Sequence, residues 1–242
     1  MKTIIASDIH VPFHNRRGVR KLLDHIRRER PDHVVLAGDI ADLHALTTHR
    51  RNPVWQDKLK QELDAVYDFL WDVRYAAKKA VITYIKGNHE DRFDRYVQSN
   101  APEMRLIGVD LPKYLELDSM DIRWVEDAGR TKVWVPCGQG QRVRVLHGHE
   151  FKGGSKFPGG HALKIANELG CNVHIGHTHK LGSMVTQIAG KTRFGVEGGY
   201  LANRKSPGLA YGGPAPKWAP AFSVYDSRNT DTMLPRFVQV TG

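Results

Sequence analysis

Five short segments of the sequence place metal-ligand residue types directly after runs of apolar residues. Their polar residues are Asp8 and His10 in SDIH, Asp39 and Asp42 in GDIAD, Asn88, His89 and Glu90 in GNHE, His147 and His149 in LHGHE, and His177 and His179 in GHTH. Aspartate, asparagine and histidine bind borderline divalent metals, and the set is large enough for two ions. One such segment alone is more often a turn or a helix cap. A single shared metal site would account for all five.

Glycine stands directly before Asp39, Asn88 and His177. Because glycine tolerates backbone conformations that other residues avoid, we predict tight turns that aim the next side chain inward. In α/β sheets, ligands bind in the crevice beyond the carboxyl ends of the strands. We therefore expect the five segments to converge there, although they span residues 8–179 of the sequence.

The elements that must carry these segments alternate between strand and helix in the first ninety residues. Apolar, β-branched runs predict strands at Lys2–Ala6, His33–Asp39 and Ala80–Asn88. Apolar residues at helical spacing predict helices around Val19–Ile26 and Leu59–Val73. This order predicts parallel strand pairs with right-handed crossovers.

Beyond about Leu117 the pattern changes to short strands and one helix, near His161–Leu169. The predicted strands are Ile122–Val125, Lys132–Val135, Val143–Leu146, Val173–Ile175, Leu181–Ile188, Arg193–Val196 and Phe222–Tyr225. We expect an α/β fold with two packed sheets, helices outside them, and a largely antiparallel second half. No repeat or linker divides the chain, so one domain over residues 1–242 is predicted.

The distribution of apolar residues argues against a membrane-spanning or secreted protein. No window supplies the roughly 18 unbroken apolar residues of a membrane helix, and MKTIIASDIH is too short an apolar run for a secretory signal. We therefore expect a cytoplasmic protein without a membrane partner.

The two cysteines, Cys137 and Cys171, are too few for a disulfide framework. The formal charge of +10 favours polyanionic partners such as nucleic acid or nucleotides, without choosing among them.

The ordered series DxH, GD, GNHE, HGH and GHxH resembles the calcineurin-like metallophosphoesterase superfamily. The resemblance extends from Asp8 to His179 and implies a four-layer α/β/β/α sandwich of two mixed sheets flanked by helices. It assigns one divalent ion to Asp8, His10 and His179, a second to Asn88, His147 and His177, and the bridging position to Asp39. It makes His89 the catalytic residue that contacts the scissile phosphate. Manganese is the expected metal, and iron, nickel and zinc also suit the donors.

Such a site implies a phosphoesterase in which a hydroxide shared by two ions attacks phosphorus in line. Protonated His89 would donate to the departing oxygen, and Asp42 would orient a ligand histidine or lie on the surface. Phosphoprotein phosphatases of the superfamily carry GDxxDRG, and here Leu43 and His44 replace the Arg-Gly. We therefore expect hydrolysis of a nucleotide or nucleic-acid phosphodiester. A phosphomonoesterase or protein phosphatase, and a non-catalytic metal-binding scaffold protein, remain the alternatives.

Substrate contacts are expected on loops near the predicted ligands. Lys152 and Lys156 lie in the glycine-rich stretch 147–161, and Tyr200, Arg204, Tyr211 and Trp218 lie in the stretch 198–220. Arg92 and Arg95 follow GNHE and are candidates for a phosphate clamp. The alternative is that these are ordinary surface groups. The Arg16–Arg30 region is interpreted as a solvated helix face, because no aromatic residue is interleaved with its charges.

Overall fold

The computed structural model of the chain describes residues 1–48, 58–206, 209 and 218–240. Tyr211 and most of the stretch 207–217 lie outside the described residues. The strands of the described chain are β1 Lys2–Ala6, β2 His33–Ala37, β3 Val81–Ile85, β4 Ile122–Val125, β5 Val133–Pro136, β6 Arg142–Leu146, β7 Asn172–Ile175, β8 Leu181–Ile188, β9 Lys191–Gly198, β10 Ala221–Asp226 and β11 Arg236–Gln239. Its α-helices are α1 Arg16–Glu29, α2 Leu59–Ala76, α3 Asp91–Asn100, α4 Leu111–Tyr114 and α5 Gly160–Leu169.

The first sheet contains the predicted β-α-β-α-β unit. Within the described residues its strand order is β11-β10-β1-β2-β3-β4. The strands β1 to β4 are parallel to one another, β10 is antiparallel to β1, and β11 is antiparallel to β10. The register places Ala6 opposite Leu36 and Ala37 opposite Ile85. The carboxyl ends of three parallel strands are therefore level, and the polar segments that follow them start from one edge of the sheet.

The second sheet has the order β5-β6-β7-β9-β8 within the described chain. This sheet is mixed: β5 with β6 and β8 with β9 are antiparallel, as expected for the second half, but β6 and β7 pair in parallel, as do β7 and β9. The helix α5 connects β6 to β7 and makes that parallel crossover sterically possible. The strand β4, which was grouped with the second half, belongs to the first sheet, parallel to β3.

The two sheets pack face to face between helices, so the layers run α/β/β/α. Alternate residues of the first sheet face opposite layers: Ile4 packs in the core beneath α1 and α2, and Ile5 packs in the core between the sheets. The helix α5 covers the outer face of the second sheet through Ala162 and Ile165. Full burial of each such aliphatic side chain contributes about 1.5–3 kcal/mol. This alternation fixes which strand residues can reach the crevice.

Three elements were missing from the predicted strands and helices. They are β11, the single-turn helix α4 and the helix α3, which carries Arg92 and Arg95. All three are short, and α3 buries only Phe93 and Val97, so its apolar periodicity is weak. Among residues 1–48, 58–206, 209 and 218–240, no helix combines the length and the apolar character that crossing a bilayer requires.

Candidate metal centre

The loops that follow β1 and β2 continue side by side beyond the end of the sheet. Backbone hydrogen bonds of 3.0 Å join Asp8 N to Gly38 O and His10 N to Asp39 O, so the loop after β1 runs beside the loop after β2. From the second sheet, the His177 amide donates to both carboxylate oxygens of Asp8, at 3.1 and 3.0 Å. These contacts bring segments that are up to 169 residues apart into one crevice.

Five of the predicted ligands have left-handed backbone conformations. The φ angles are 53° for Asp8, 53° for His10, 52° for Asp39, 60° for His177 and 58° for His179. A positive φ is uncommon for a residue other than glycine and costs on the order of 1–3 kcal/mol. Such strain persists only where the surrounding structure imposes it, and it is typical of functional sites.

The glycines before the ligands are required mainly by close approach. A Cβ on Gly87 would lie 2.3 Å from Asp39 Oδ1, and one on Gly176 would lie 2.6 Å from Asp8 Oδ2. Neither glycine has a positive φ, so the predicted reason, a tight turn, applies only to Gly38, with φ 86°. Each loop therefore packs its backbone directly against a predicted ligand of the neighbouring loop.

The predicted ligands form two groups of donor atoms. In each group, one donor atom from every member lies within 4.8 Å of the others: Asp8, His10 and His179 in the first, and Asp39, His147 and His177 in the second. The Asp8 carboxylate lies 3.2 Å from His179 Nε2. The groups correspond to the two sets that the sequence resemblance assigned to separate ions, with the bridging Asp39 in the second.

Asp39 lies between the two groups. Its Oδ2 atom is 3.3 Å from His147 Nε2 and 3.9 Å from His10 Nε2. The amide oxygen of Asn88 is 3.2 Å from the same His147 Nε2 atom. A carboxylate in this position can contact cations in both groups, as the bridging assignment requires.

The outer nitrogens of two histidines are held by groups that accept hydrogen bonds. His10 Nδ1 donates to Asp42 Oδ2 at 2.9 Å, and His147 Nδ1 donates to the carbonyl oxygen of Ala37 at 2.9 Å. In both rings the other nitrogen, Nε2, is thereby directed into the crevice, which is how ligand histidines are oriented in metal sites. Asp42 is fully buried, so it orients His10 and is not a surface residue.

The pKa values of His147 and Asp39 are shifted in the directions that favour positive charge beside the buried carboxylates. Burial lowers the pKa of His147, but the adjacent Asp39 and Asp8 carboxylates outweigh it and raise the pKa to about 10. Burial raises the pKa of Asp39, yet neighbouring imidazoles, His147 first, hold it well below its ordinary value. The buried carboxylates thus stay ionised and draw a proton onto His147, a role that a metal cation can fill instead.

The residues present fit a bound cation. His10 Nε2 is buried and has no hydrogen-bond partner in the described chain, although it points toward Asp8 and Asp39. A buried polar atom without a partner costs roughly 1–3 kcal/mol, and coordination would remove that cost. The donors are imidazole, carboxylate and amide groups, the mixture that manganese, iron, nickel and zinc accept.

His89 lies against both donor groups as a neutral ring. Burial lowers its pKa to about 3, and neighbouring Arg92 and His10 act in the same direction. Its Nδ1 atom donates to the carbonyl oxygen of Asp42 at 3.0 Å, so Nε2 carries the lone pair and accepts from Arg92 Nη2 at 3.1 Å. The carboxylates of Asp39 and Asp42, 3.8 and 3.6 Å from its ring nitrogens, act to raise the pKa, but burial outweighs them. Proton donation by His89 to a leaving oxygen stays a prediction.

Glu90 is a buried residue whose role was not recognised in the sequence. Its carboxylate accepts from the backbone amides of Asp39, Ile40, Ala41 and Gly87 and from the Tyr84 hydroxyl. It therefore fixes the loop that presents Asp39. The glutamate of GNHE is visible in the sequence, but the spacing of residues does not reveal that its side chain turns back toward the loop that carries Asp39.

The remaining predicted substrate contacts differ in how far they are buried. Arg92 is half-buried beside His89, and Lys152, Lys156 and Arg204 are exposed. Tyr200 is buried and stacks on His179, with ring centroids 5.3 Å apart and an angle of 22° between the planes. Tyr200 is thus placed to hold a predicted ligand ring, and substrate contact by these five residues stays a prediction.

The chain is similar to known proteins in its sequence profile and in its fold. The comparison with curated proteins finds no match. Similar solved structures include a Vps29 single mutant from Entamoeba histolytica and the phosphoesterase YfcE from E. coli, each with 16% identity, a TM-score of 0.46 and full coverage of both chains. The protein TT1561 of Thermus thermophilus has 9% identity and a TM-score of 0.47, with 99% of each chain covered. The sequence profile of the calcineurin-like phosphoesterases matches residues 1–181, and the chain belongs to that family.

Proposed function

We propose that this protein is a dinuclear metal-dependent phosphodiesterase that hydrolyses nucleotide or nucleic-acid phosphodiesters. The observation that carries the proposal is the pair of donor groups with Asp39 placed between them. In this assignment Asp8, His10 and His179 would hold one ion, Asn88, His147 and His177 would hold the other, and Asp39 would contact both. Bound divalent ions would polarise the phosphoryl oxygens and lower the pKa of an attacking water.

The residues of the chain act mainly by orientation. Asp42 and the Ala37 carbonyl group hold the imidazoles of His10 and His147 so that each presents Nε2. Glu90 holds the loop of Asp39 through four backbone amides. Since the donors are fixed before substrate arrives, little reorganisation is needed during the reaction.

Arg92 is the positive group closest to the proposed catalytic histidine. Its guanidinium donates to the Asp42 carbonyl oxygen at 2.8 Å and to His89 Nε2 at 3.1 Å. We assign to Arg92 the stabilisation of negative charge on the phosphate, and to His89 a contact with the leaving oxygen. A neutral His89 accepts at Nε2, so it must take up a proton, favoured by the charge of a bound phosphate, before it can donate one.

The sequence motif and the available space support a diester over a monoester. The sequence lacks the Arg-Gly of the phosphoprotein phosphatase motif after Asp42. A groove of about 440 Å³ leads away from Asn88 and offers room for a second ester substituent.

Manganese remains the metal proposed for both positions. The donor set of imidazole, carboxylate and amide groups also suits iron, nickel and zinc. Metal content after growth with each metal, together with activity after reloading, would decide among them.

The direct experiment compares two chromogenic esters with the manganese-loaded protein. We expect hydrolysis of bis(p-nitrophenyl) phosphate with a kcat/KM well above that for p-nitrophenyl phosphate. The reverse preference would identify a phosphomonoesterase. Hydrolysis of neither ester by protein with two bound ions would contradict the proposal and favour a non-catalytic metal-binding scaffold.

A further inference from the structure

A surface groove runs from the candidate metal centre along one side of α3. Its volume is about 440 Å³, and its walls include Asn88, Arg92, Arg95, Tyr96, Ser99 and Asn100. The helical members recur every three or four residues, so they share one face of α3. A ten-residue helix is about 15 Å long, and the groove follows it away from the reacting position.

The inner end of the groove belongs to the metal centre. Asn88 contributes an amide oxygen that lies 3.2 Å from His147 Nε2. Arg92, one helical turn further, contacts His89 at 3.1 Å. A molecule whose phosphate lies at the metal centre therefore has one substituent directed into this groove.

The middle of the groove presents a cation next to an aromatic ring. Arg95 is 60% exposed, and its Nε atom is held by the Asp91 carboxylate at 3.0 Å. One of its terminal nitrogens, Nη2, reaches the Asn88 carbonyl oxygen at 3.3 Å, which leaves Nη1 without a partner in the described chain. Tyr96 follows at once, with 45% of its surface exposed. A guanidinium suits a phosphate, and an exposed tyrosine ring suits stacking on a base.

The outer end of the groove is polar. Asn100 is exposed, and its side-chain nitrogen donates to the Tyr96 carbonyl oxygen at 2.8 Å, while Ser99 lies exposed beside it. The order along the groove is thus metal centre, arginine, arginine with aromatic ring, and polar groups. A small aryl diester would fill only the inner end of this arrangement.

We propose that the α3 groove binds the nucleoside and the neighbouring phosphate on one side of the cleaved bond, and that the substrate is a single-stranded oligonucleotide. The inference rests on the proposed phosphodiesterase function. Arg95 would contact the neighbouring phosphate and Tyr96 would stack on the base. Strands without base pairing fit because their bases are free to stack on a protein ring.

Binding is tested first, without turnover. The metal-free protein in EDTA is titrated against a fluorescein-labelled dT12 strand, and the dissociation constant is obtained from anisotropy. We expect Tyr96→Ala to weaken binding by about tenfold, within the range measured for one lost stacking contact. Tyr96→Phe keeps the ring and should restore most of the affinity.

The matched control is Tyr75→Ala. Tyr75 is also exposed, but it lies at the end of α2 that precedes β3, so it is at the opposite edge of the sheet from Asn88. Its loss should leave the dissociation constant unchanged. Equal weakening by both alanine variants, or none by Tyr96→Ala, would overturn the inference.

Measurements of turnover test the α3 groove separately from the proposed phosphodiesterase activity. The manganese-loaded protein and its variants are compared by the ratio of kcat/KM for a single-stranded oligonucleotide to kcat/KM for bis(p-nitrophenyl) phosphate. Tyr96→Ala and Arg95→Gln should each lower this ratio about tenfold. Cleavage of the aryl diester with an unchanged ratio would contradict the groove assignment alone. Failure to cleave either diester would contradict the phosphodiesterase proposal, and the binding result would then decide the groove by itself.

Discussion

His10 and Asp42 form a hydrogen bond in which Nδ1 lies 2.9 Å from Oδ2 and neither side chain is accessible to solvent. The bond fixes both the tautomer and the ring direction of His10, so that Nε2 points toward Asp8 and Asp39. A carboxylate behind a ligand histidine also increases the basicity of the ring. We therefore expect Asp42 to influence any metal that His10 binds, by fixing and polarising that ring.

Replacing this carboxylate tests its role. We expect Asp42→Ala to reduce metal affinity and kcat/KM by about 10–100-fold, the usual effect of losing such a partner. Calorimetric titration with manganese and initial rates on the aryl diester would measure both quantities. Asp24→Ala removes an exposed carboxylate on α1 and serves as the control. Wild-type affinity in Asp42→Ala would show that His10 is oriented by packing alone.

The position of Asp39 between the donor groups predicts a more severe effect for Asp39→Asn. The amide cannot contact two cations with negatively charged oxygens, so we expect turnover to fall below detection and the metal content to drop from two ions to one or none. Elemental analysis of the purified variant measures the second quantity. A variant that retains two ions and full activity would rule out a bridging role.

Gly87→Ala tests the close approach of the loops. The added Cβ would lie 2.3 Å from Asp39 Oδ1, so either the Asp39 side chain or the backbone must move. We expect a loss of about 1–3 kcal/mol in the free energy of unfolding together with a large loss of activity. Gly154→Ala is the matched control, because a Cβ there meets nothing within 4 Å. Urea denaturation of both variants makes the comparison, and equal stabilities would contradict it.

His33 predicts a pH dependence of stability that is separate from the candidate site. This buried ring lies at the start of β2, bonds to Thr83 at 2.9 Å, and has its pKa lowered by burial, and further by Arg123, from 6.5 to about 4. The unfolded chain binds a proton near pH 6.5 and the folded chain only near pH 4. The contribution of His33 to stability therefore falls as the pH decreases from 6.5 to 4, by about 3 kcal/mol in total, and this contribution is constant above pH 6.5.

The variant His33→Gln should lose this contribution. Its free energy of unfolding, measured with urea at several pH values in EDTA, should decrease less steeply between pH 6.5 and 4 than that of the wild type. Other buried histidines titrate in both proteins, so the difference between the two curves isolates His33. Parallel curves would show that His33 is protonated equally in both states.

Much of the framework follows from sequence patterns. Strand β1 is specified by an apolar run and the helices α1 and α2 by apolar periodicity, and the level ends of parallel strands explain why Asp8, Asp39 and Asn88 come close together. Periodicity describes which face of an element is buried. It is therefore most informative where elements are long and the core is deep.

The remaining features depend on contacts between distant segments. The parallel pairing of β6 with β7 and of β7 with β9 is set by tertiary packing, which the residue pattern within each strand does not encode. The buried hydrogen bonds of Glu90 and the neutral state of His89 depend on where Asp39 and Asp42 lie. Residue type identifies a potential ligand, but protonation and orientation are set by neighbours that are remote in the sequence.

The left-handed backbone at Asp8, His10, Asp39, His177 and His179 implies a conflict between catalysis and stability. Glycine adopts that conformation without the steric penalty, of about 1–2 kcal/mol per residue, that other residues incur. Substitution by glycine at one of these positions would remove the penalty, but it would also remove the side-chain atom that can bind a metal. Random substitution under selection for thermal stability alone would therefore tend to remove the donors first. A search for more stable forms of this protein should hold these five positions fixed and draw its substitutions from elsewhere.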